Sequence, residues 1–392
     1  MCLCRISIPI NKWGEPCMEF VINNEWFNKA ILDVAKAVSS RTPFPILSGI
    51  MLVANQEGLT LIGSNSDIIV EKIVPLTVED KSIVKIYEPG SVVVSAKYLS
   101  EIIKKVPNDV HIKVNENHSV AIKSEEIVTH LNGFNSEDYP SLPKVNEGNH
   151  IEVPCLELIE MIKQTSFAAS KNETRPVLKG VNFTFTENRL SMAATNSHRL
   201  AFRSLPIKSN ITGSFAVPGT SLSELIKLFN QDTKQINLFL TDSYILFKSE
   251  SLSLYSRLIE GNFPNVSELL PKEFKTEISL NTTDFLKGID RASLFASVTK
   301  NNNVNLEIKD NKLKISSNSN EIGKIEETQS IKYISGDPYI SISLDGSFLI
   351  EALKVIKEDE IRLSFNGTMR PVLIEPIGNT EYLHLISPVR SY

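Results

Sequence analysis

The chain has 392 residues, a formal net charge of −5, 42% hydrophobic residues and 22% charged residues. This composition is typical of a soluble globular protein, and the length predicts about two to four domains. No apolar run approaches the roughly 18 residues that a membrane-spanning helix needs, so the sequence excludes such a span.

The four cysteines are too few and too scattered to form a disulfide framework. This usage is typical of a reducing compartment, and we expect a cytoplasmic protein. Cys2 and Cys4 have the spacing of half a metal site, but no second Cys or His pair stands at ligand spacing. We therefore expect neither a metal site nor a cofactor.

Residues 1–17 differ in character from the rest of the chain. They contain neither the long apolar stretch nor the small-residue cleavage site of a signal peptide. Residues 13–15 can be encoded only by a purine-rich stretch two codons before Met18, where a bacterial ribosome-binding site would lie. Our hypothesis is that Met18 is the natural start and that residues 1–17 are a translated leader. N-terminal sequencing of the native protein that finds the leader contradicts this hypothesis.

One pattern repeats along the remaining chain, and such repeats decide the fold when they occur. An amphipathic helix, a loop and two strands joined by a short polar turn occupy residues 27–66, then 158–197, then, more weakly, 285–319. A second strand and helix follow in each copy. The predicted helices span residues 24–38, 95–106, 156–171, 222–229, 283–300 and 348–357.

Matching aromatic residues close the first two copies, Tyr139 before Pro140 and Phe263 before Pro264. The intervals between repeats are similar in length. We therefore predict three domains, residues 18–146, 147–273 and 274–392, each built twice from a strand–helix–strands element.

The net negative charge conceals a local bias. The predicted helices carry thirteen Lys and Arg residues against nine Asp and Glu residues, so they sum to +4 and the remainder to −9. Three equal units joined end to end make an arc with unlike ends, and a head-to-tail contact can close such an arc into a ring. Basic helices around its hole would bind phosphates without sequence choice. Solvated helix faces are the alternative explanation of the bias.

Four segments carry a family resemblance: RTPFPIL at residues 41–47, ATNSHRLA at 194–201, LIEGNFP at 258–264 and ISPVRSY at 386–392. Together they resemble the bacterial DNA polymerase III β subunit family, most closely its members from low-GC Gram-positive bacteria. The resemblance covers residues 18–392 in the same order. It implies the α+β DNA-clamp fold, in which antiparallel sheets form the outside of a ring and helices line the hole.

The resemblance implies a sliding clamp, a non-catalytic processivity subunit that encircles double-stranded DNA as a head-to-tail homodimer. Its further partners would be the DNA polymerase III alpha subunit or PolC, an ATP-driven clamp loader and other proteins with clamp-binding motifs. We place the joint between subunits at an edge strand from Ile127 to Leu131 and at Leu294 and Phe295. Pairing there would occupy edge backbone groups that otherwise invite aggregation.

The resemblance also implies a pocket for extended partner peptides, between the second and third domains. Aliphatic walls would accept a Leu or Phe anchor, and a few polar groups would orient the peptide backbone. The implied pocket residues are Leu178, Thr195, Ser197, His198, Arg199, Leu200, Pro264, Leu269, Met369, Pro371, Leu385, Ile386, Ser387, Pro388, Val389 and Arg390. The alternative is that three of these residues belong to the core and not to a pocket: Leu178, Leu200 and Leu269.

Two positions depart from the family pattern. Asn196 stands where the family usually has Asp, and Glu268 stands where an Arg commonly lines the pocket rim. The reversed charge predicts an altered preference for acidic residues in partner peptides. It also leaves open that the chain is an auxiliary clamp rather than the main one.

For DNA, the resemblance points to Arg41 and Asn172 on loops near the hole. Lys29, Lys104, Lys105 and Lys227 are helix-associated cations that would face the phosphates. An ordinary loop cation is the alternative reading of Arg41. The sequence contains no aromatic stacking row and no base-reading helix, which suits a protein that slides.

Other classes of function fit less well. Ser197 and His198 are adjacent, whereas a nucleophile elbow needs Gly-x-Ser-x-Gly on a strand-to-helix turn, so a hydrolase is not expected. No Gly-x-x-x-x-Gly-Lys-Ser/Thr loop is present to bind nucleotide phosphates. A scaffold of the same fold that gathers proteins without DNA remains the third hypothesis.

Overall fold

The computed structural model describes residues 17–389 apart from residues 40–41, 43, 66, 146–149, 172–173, 209–211, 230–232 and 297–301. The proposed leader therefore lies, except for Cys17, outside the described residues. Within them the chain forms seven α-helices and 28 strands. Six times a strand, a helix and three further strands follow one another, which is the repeat expected from the sequence.

Each helix except the four-residue Val266–Leu269 buries one apolar side. Their bounds are α1 Asn24–Ala35, α2 Ala96–Ile103, α3 Cys155–Thr165, α4 Gly219–Leu228, α5 Val266–Leu269, α6 Thr282–Ala296 and α7 Gly346–Lys354. Short 3₁₀ helices lie at Pro45–Ser48, Ser136–Asp138, Ser166–Ala168 and Pro176–Lys179.

The strands of the first half of the chain are β1 Met18–Ile22, β2 Gly49–Asn55, β3 Gly58–Ser64, β4 Ile68–Pro75, β5 Thr77–Val78, β6 Lys81–Ser82, β7 Val84–Glu88, β8 Gly90–Ser95, β9 Val110–Val114, β10 Ser119–Ser124, β11 Ile127–Phe134, β12 Ile151–Pro154, β13 Gly180–Thr186 and β14 Arg189–Thr195. Those of the second half are β15 Arg199–Pro206, β16 Gly213–Pro218, β17 Gln235–Leu240, β18 Tyr244–Lys248, β19 Leu252–Arg257, β20 Thr276–Asn281, β21 Asn303–Lys309, β22 Lys312–Ser319, β23 Gly323–Ser330, β24 Tyr333–Gly336, β25 Ile340–Asp345, β26 Glu360–Phe365, β27 Val372–Pro376 and β28 Tyr382–Ile386.

The chain divides into two compact units, and the first contains residues 1–152 and 223–257. Its main sheet runs in the order β17-β18-β19-β4-β3-β2-β8-β11-β10-β9-β1-β7. Helix α1 buries Phe27, Ala30, Ile31 and Val34, whose spacing places them on one helix face against β3 and β4. The Phe20 and Phe27 rings meet edge to face, 6.2 Å apart, in this core.

The second unit contains residues 153–222 and 258–392. Its larger sheet runs β16-β13-β14-β15-β28-β27-β26-β20-β24, and its smaller sheet runs β23-β22-β21-β25. Helix α3 packs on β14 and β15, whereas α6 and α7 pack on each other and α6 on β22. The larger sheet thus joins strands from the second and third sequence repeats, which places the loops of both repeats beside each other.

The six long helices lie where the sequence predicts them, but most end earlier. Helix α1 ends at Ala35 rather than at residue 38, and α3 at Thr165 rather than at residue 171. The apolar periodicity continues past the α-helices, because Ala37 remains buried in a turn and Ala168 in the 3₁₀ helix Ser166–Ala168. The predicted end of α6 at residue 300 lies outside the described residues.

In the described part of the chain, no helix is both long and apolar enough to cross a bilayer. The same residues bring together no group of three or more His, Cys, Asp or Glu side chains that would suit a metal ion.

Candidate functional site

A tight turn between β14 and β15 begins the site. The Asn196 Oδ1 atom accepts hydrogen bonds from the backbone N–H groups of His198 and Arg199, both at 3.0 Å. The Thr195 hydroxyl accepts from the Ser197 N–H at 3.1 Å and donates to the Arg199 carbonyl oxygen. Ser197 has a φ of +74°, which is uncommon outside glycine and which these bonds help to hold. The turn is therefore locally determined.

A 3₁₀ helix, Pro176–Lys179, supplies a second wall. Its proline stands in the first turn, where the missing N–H has no helical partner to lose. The carbonyl oxygen of Leu178 accepts a hydrogen bond from the Ser170 N–H at 2.8 Å, and the Leu178 side chain is fully buried. The short helix therefore holds Leu178 in one position.

These elements enclose a cavity of about 300 Å³ within the second unit. Its walls are mostly apolar, with hydroxyl groups and two arginines among them. The lining residues are Arg175, Leu178, Thr195, Ser197, Arg199, Leu200, Pro264, Leu269, Pro371, Leu385 and Ser387. A cavity of this size and character suits a hydrophobic side chain with a polar backbone attached.

Strand pairing explains the cavity floor. Thr195 lies opposite Leu200, and Leu200 lies opposite Leu385, so one row across three strands faces the cavity. Alternate residues of a strand share a face, so Ile386 points to the other side of the sheet. There it is buried in the core that contains α6 and α7. The prediction that Ile386 lines the pocket is therefore wrong for its side chain.

The guanidinium of Arg199 is committed to the protein itself. It forms an ion pair with Glu351 on α7 and donates to the Phe167 carbonyl oxygen. It also lies over the Phe348 ring, 4.4 Å from the centroid. Only 8% of Arg199 is exposed. Arg199 thus fastens β15 to α7, although it also belongs to the cavity lining.

A fully buried histidine lies behind the cavity floor. His384 on β28 packs against the rings of Phe167 and Tyr382, with centroids 5.4 and 4.9 Å away. Burial, with a smaller effect from the Arg199 charge, lowers the pKa of His384 to about 3. The imidazole is therefore neutral at pH 7, which lets it stand beside a cation.

The residue that the sequence reasoning missed is Arg175. It lines the cavity, and its Nη2 atom donates a hydrogen bond to the Ser197 Oγ atom at 2.6 Å. The sequence feature that could have pointed to Arg175 is its position directly before Pro176, in the repeated loop. A loop cation carries no sign in sequence that it will fold back over a neighbouring turn.

Ten of the sixteen predicted pocket residues line the cavity. His198 is exposed at the turn, and its carbonyl oxygen accepts from the Ser387 N–H at 2.8 Å. Met369 is 61% exposed outside the lining. Pro388 and Val389 are half-buried, with the Val389 N–H donating to the Ser343 carbonyl oxygen. Arg390 lies outside the described residues.

Glu268 does not line the cavity, although it stands next to Leu269, which does. Its Oε1 atom accepts a hydrogen bond from the Asn265 amide at 2.9 Å, in the first turn of α5. The carboxylate is exposed. Its influence on the cavity mouth is therefore limited to its charge.

The predicted DNA-binding cations that the structure describes are all exposed. They are Lys29 on α1, Lys104 and Lys105 directly after α2, and Lys227 on α4. Arg41 and Asn172 lie outside the described residues.

Neighbouring carboxylates balance three of these cations. Lys104 and Lys105 lie 3.5 and 3.7 Å from Glu101, and Lys227 lies 2.8 Å from Glu224. Exposed pairs of this kind contribute about 1 kcal/mol at most, so the ammonium groups can exchange a carboxylate for a phosphate.

The predicted joint residues lie at two different places. Residues 127–132 pair only with β10, whereas Gly133 and Phe134 cross to β8. The strand is thus longer than the predicted segment, and only its beginning, which holds Ile127 and Leu131, is an edge among the described residues. Leu294 on α6 is 68% exposed, and Phe295 is half-buried.

Comparison with known proteins identifies the class. Three family models of the DNA polymerase III beta subunit match the chain in order: the N-terminal domain at residues 18–143, the central domain at 152–265 and the C-terminal domain at 267–390. The beta sliding clamp of Bacillus subtilis (strain 168) is 42% identical over 379 residues, 96% of this chain and 100% of the relative. That of Staphylococcus aureus (strain COL) is 37% identical over 377 residues, with the same coverage.

Solved structures agree. The crystal structure of the DNA polymerase sliding clamp from Bacillus subtilis is similar with a TM-score of 0.93 and 41% identity, covering 96% of this chain and 100% of that one. That of the beta subunit from Streptococcus pyogenes has a TM-score of 0.90 and 33% identity, with 95% and 100% coverage. The chain belongs to the DNA polymerase III beta subunit family and is a DNA sliding clamp, a non-catalytic processivity subunit. The predicted family, fold class and function are confirmed.

Proposed function

We propose that the cavity at Leu178 captures extended peptide motifs of the replicative polymerase, the clamp loader and other partners. The observation that carries this proposal is the apolar row of Leu200 and Leu385 beneath an open mouth, with Leu178 as a side wall. Such a cavity accepts a Leu or Phe side chain and excludes water from it. The Ser197 hydroxyl group lies in the same lining, where it would face the peptide backbone.

The exposed edges of two strands support a head-to-tail homodimer. The beginning of β11 exposes Ile127 and Val128, by 45 and 54%, and pairs on one side only. Strand β23 is the last strand of the smaller sheet, and Ile322 beside it is 54% exposed. Because one chain carries both edges, β11 of one copy can pair with β23 of a second copy. The same contact made twice closes a ring of two copies. Leu294 and Phe295 would pack at that joint.

A closed dimer would encircle double-stranded DNA. The exposed cations Lys29, Lys104, Lys105 and Lys227 would contact phosphates, with Arg41 and Asn172 on nearby loops. Contacts to phosphates alone give loose binding that depends on salt and not on sequence. This is the binding that a sliding subunit needs.

We further propose three clamp domains with boundaries near residues 146 and 273, and a cytoplasmic location. The three matched family segments, ending at residues 143, 265 and 390, support those boundaries. The two compact units do not coincide with these three domains, because each large sheet contains strands of two consecutive repeats.

Retention on circular DNA tests the ring. Nicked circular DNA is incubated with the protein, a cognate clamp loader and ATP, and is then linearised. We expect the protein to stay on the circle and to leave after cutting. Absence of retention, or retention that cutting does not change, contradicts encirclement and leaves a scaffold of the same fold.

The joint has its own test. Val128→Asp and Leu294→Asp are each expected to convert the dimer into monomers in sedimentation experiments, because a buried unpaired carboxylate is costly. Ile377→Asp is the control, since Ile377 is similarly exposed, by 45%, but follows β27, an interior strand of the larger sheet. Equal dimerisation of all three variants contradicts the proposed joint.

The charge at Glu268 offers a test of the cavity mouth. Glu268→Arg is expected to raise affinity for a peptide with acidic flanks a few-fold, and less so at high salt. An unchanged affinity would show that Glu268 does not influence peptide choice.

A further inference from the structure

A second cavity, of about 370 Å³, lies beside the first on the same face of the larger sheet. Thr195 and Leu200 form the cross-strand pair beneath the first cavity, and the next same-face pair, Ala193 and Phe202, lies beneath the second. Successive residues on one face of a strand are about 7 Å apart. Pro264 lines both cavities. The two cavities therefore share a floor and one wall.

The second cavity combines aromatic rings with neutral polar groups. Phe202 and Phe263 supply the rings. On β13 and β16, the Asn182 amide nitrogen donates to the Thr184 Oγ1 and Ser214 Oγ atoms, both at 3.0 Å. The Thr184 and Ser214 hydroxyl oxygens are 3.2 Å apart. An amide and two hydroxyl groups thus lie side by side in one lining.

The absence of charge in the described lining restricts which kind of side chain the second cavity can bind. None of the described residues that line the second cavity is Asp, Glu, Lys, Arg or His. A charged side chain would lose water there without gaining a counter-ion, which is unfavourable. The Thr184 and Ser214 hydroxyl groups already pair with the Asn182 amide, and an aliphatic side chain would use none of their remaining hydrogen-bonding capacity. An aromatic side chain that carries a hydroxyl group satisfies both kinds of wall.

We propose that the second cavity is a specificity subsite that takes a tyrosine from the partner peptide, next to the anchor that enters the first cavity. This inference rests on the proposed peptide binding. The tyrosine ring packs between Phe202, Phe263 and Pro264, and its hydroxyl group hydrogen-bonds with Thr184 and Ser214. Because the two floor pairs are about 7 Å apart, a tyrosine about two residues from the anchor in an extended peptide reaches the subsite.

Synthetic peptides test the subsite by fluorescence anisotropy. The reference peptide carries a Leu-Phe anchor and alanines elsewhere, and tyrosine is placed one, two or three residues from the anchor on either side. We expect one of these positions to raise affinity about tenfold. Phenylalanine at that position should keep part of the gain, and lysine should keep none.

Variants of the protein assign the gain to the cavity. The double variant Thr184→Val with Ser214→Ala removes both hydroxyl groups, and should reduce the advantage of tyrosine over phenylalanine about fivefold, the worth of roughly one hydrogen bond. Ser191→Trp, which fills the cavity from its floor, should abolish the tyrosine gain and leave the reference peptide unaffected. Thr186→Val is the control, since Thr186 lies on the same strand β13 outside the lining.

The outcomes separate this inference from the proposal beneath it. If the reference peptide binds and no tyrosine position raises affinity, or if the gain survives Ser191→Trp, the subsite is wrong and the first cavity stands. If the reference peptide does not bind at all, peptide capture by the first cavity is wrong, and the subsite falls with it.

Discussion

The loop that builds the candidate pocket has a counterpart in the first unit with nearly the same local structure. Each copy has a 3₁₀ helix that starts at a proline, Pro45–Ser48 in one and Pro176–Lys179 in the other. Each also has an asparagine turn: Asn65 Oδ1 accepts from two backbone N–H groups, as Asn196 Oδ1 does. The same local chemistry has therefore folded twice in the same way.

The two copies differ in what covers them. Leu47 is packed in a cluster with Tyr139, which is 6% exposed, and with Leu142 against it. Burial raises the pKa of the Tyr139 phenol above its ordinary value. In the second copy Phe263 packs against the cluster that contains Leu178 but is only half-buried, and the buried Leu178 lines the cavity. The cavity that we propose as the peptide pocket thus lies where the closing segment packs less closely than in the first copy.

The largest expected effect concerns the residue that fills the first copy. Tyr139→Ala should lower the free energy of unfolding by about 3–5 kcal/mol, because it empties a packed core. Phe263→Ala should cost about 1–2 kcal/mol, since that ring is already partly in water. Urea unfolding of both variants measures the difference. Equal costs would contradict the view that only the first copy is filled.

Arg199 is the second point of contrast, since the residue at its place in the first copy is the buried Ile68. Arg199→Ile should lower the free energy of unfolding by about 2–3 kcal/mol, because Glu351 loses its partner. Glu351 is 45% exposed, so the cost stays below that of a fully buried pair. The double variant Arg199→Ile with Glu351→Gln should regain part of this stability in the same urea assay. If Arg199→Ile leaves the free energy of unfolding unchanged, an isoleucine stabilises the second copy as well as the arginine does, as Ile68 does in the first.

Lowering the pH should destabilise the fold around the second copy, because His384 is buried there in its neutral form. Its pKa in the folded protein is about 3, below the ordinary 6.5, so the unfolded chain binds the proton more readily. This contribution to stability is complete above about pH 6.5 and is lost as the pH falls toward 3, by about 1.4 kcal/mol per pH unit. At pH 5 the loss is about 2 kcal/mol.

His384→Phe should remove that part of the acid sensitivity, and the exposed His198→Gln should not. Hydrogen exchange of the β15 amides, compared between pH 7 and pH 5, measures the local effect, with the β2 amides as an internal reference. If the wild type and His384→Phe lose protection in β15 equally, His384 is not responsible.

The smallest expected effect concerns the rim of the open copy. Leu269 is 41% exposed at the cavity, so Leu269→Ala should weaken binding of a Leu-Phe peptide about tenfold without lowering stability. Ile377→Ala, a truncation of a similarly exposed side chain away from the cavity, should change neither quantity. A tenfold loss in both variants would point to a general effect on the protein.

Much of the pocket could be predicted because short sequence motifs determine the local structure of its loops. Pro176 and Leu178 in the repeated loop, and Asn196 in the turn, act on neighbours within a few residues. Alternation along β28 could have separated Leu385 from Ile386, since adjacent residues of a strand face opposite ways.

Other features depended on residues far along the chain. The direction of the Arg199 guanidinium depends on Glu351, which lies 152 residues away. The contact of Arg175 with Ser197 depends on how two loops meet. Neither partner is specified by a spacing or a propensity, because each comes near only when the sheet has formed.

The sequence by itself determined the repeats, the helices and strands, the turns and the family, since periodicity and turn chemistry act locally and recur. Only the tertiary structure decided that Leu47 is covered by Tyr139 while Leu178 borders a cavity. The physical reason is that a cavity is the volume that distant segments leave unfilled. That volume depends on how closely the closing segment packs against the sheet, and no local pattern encodes it.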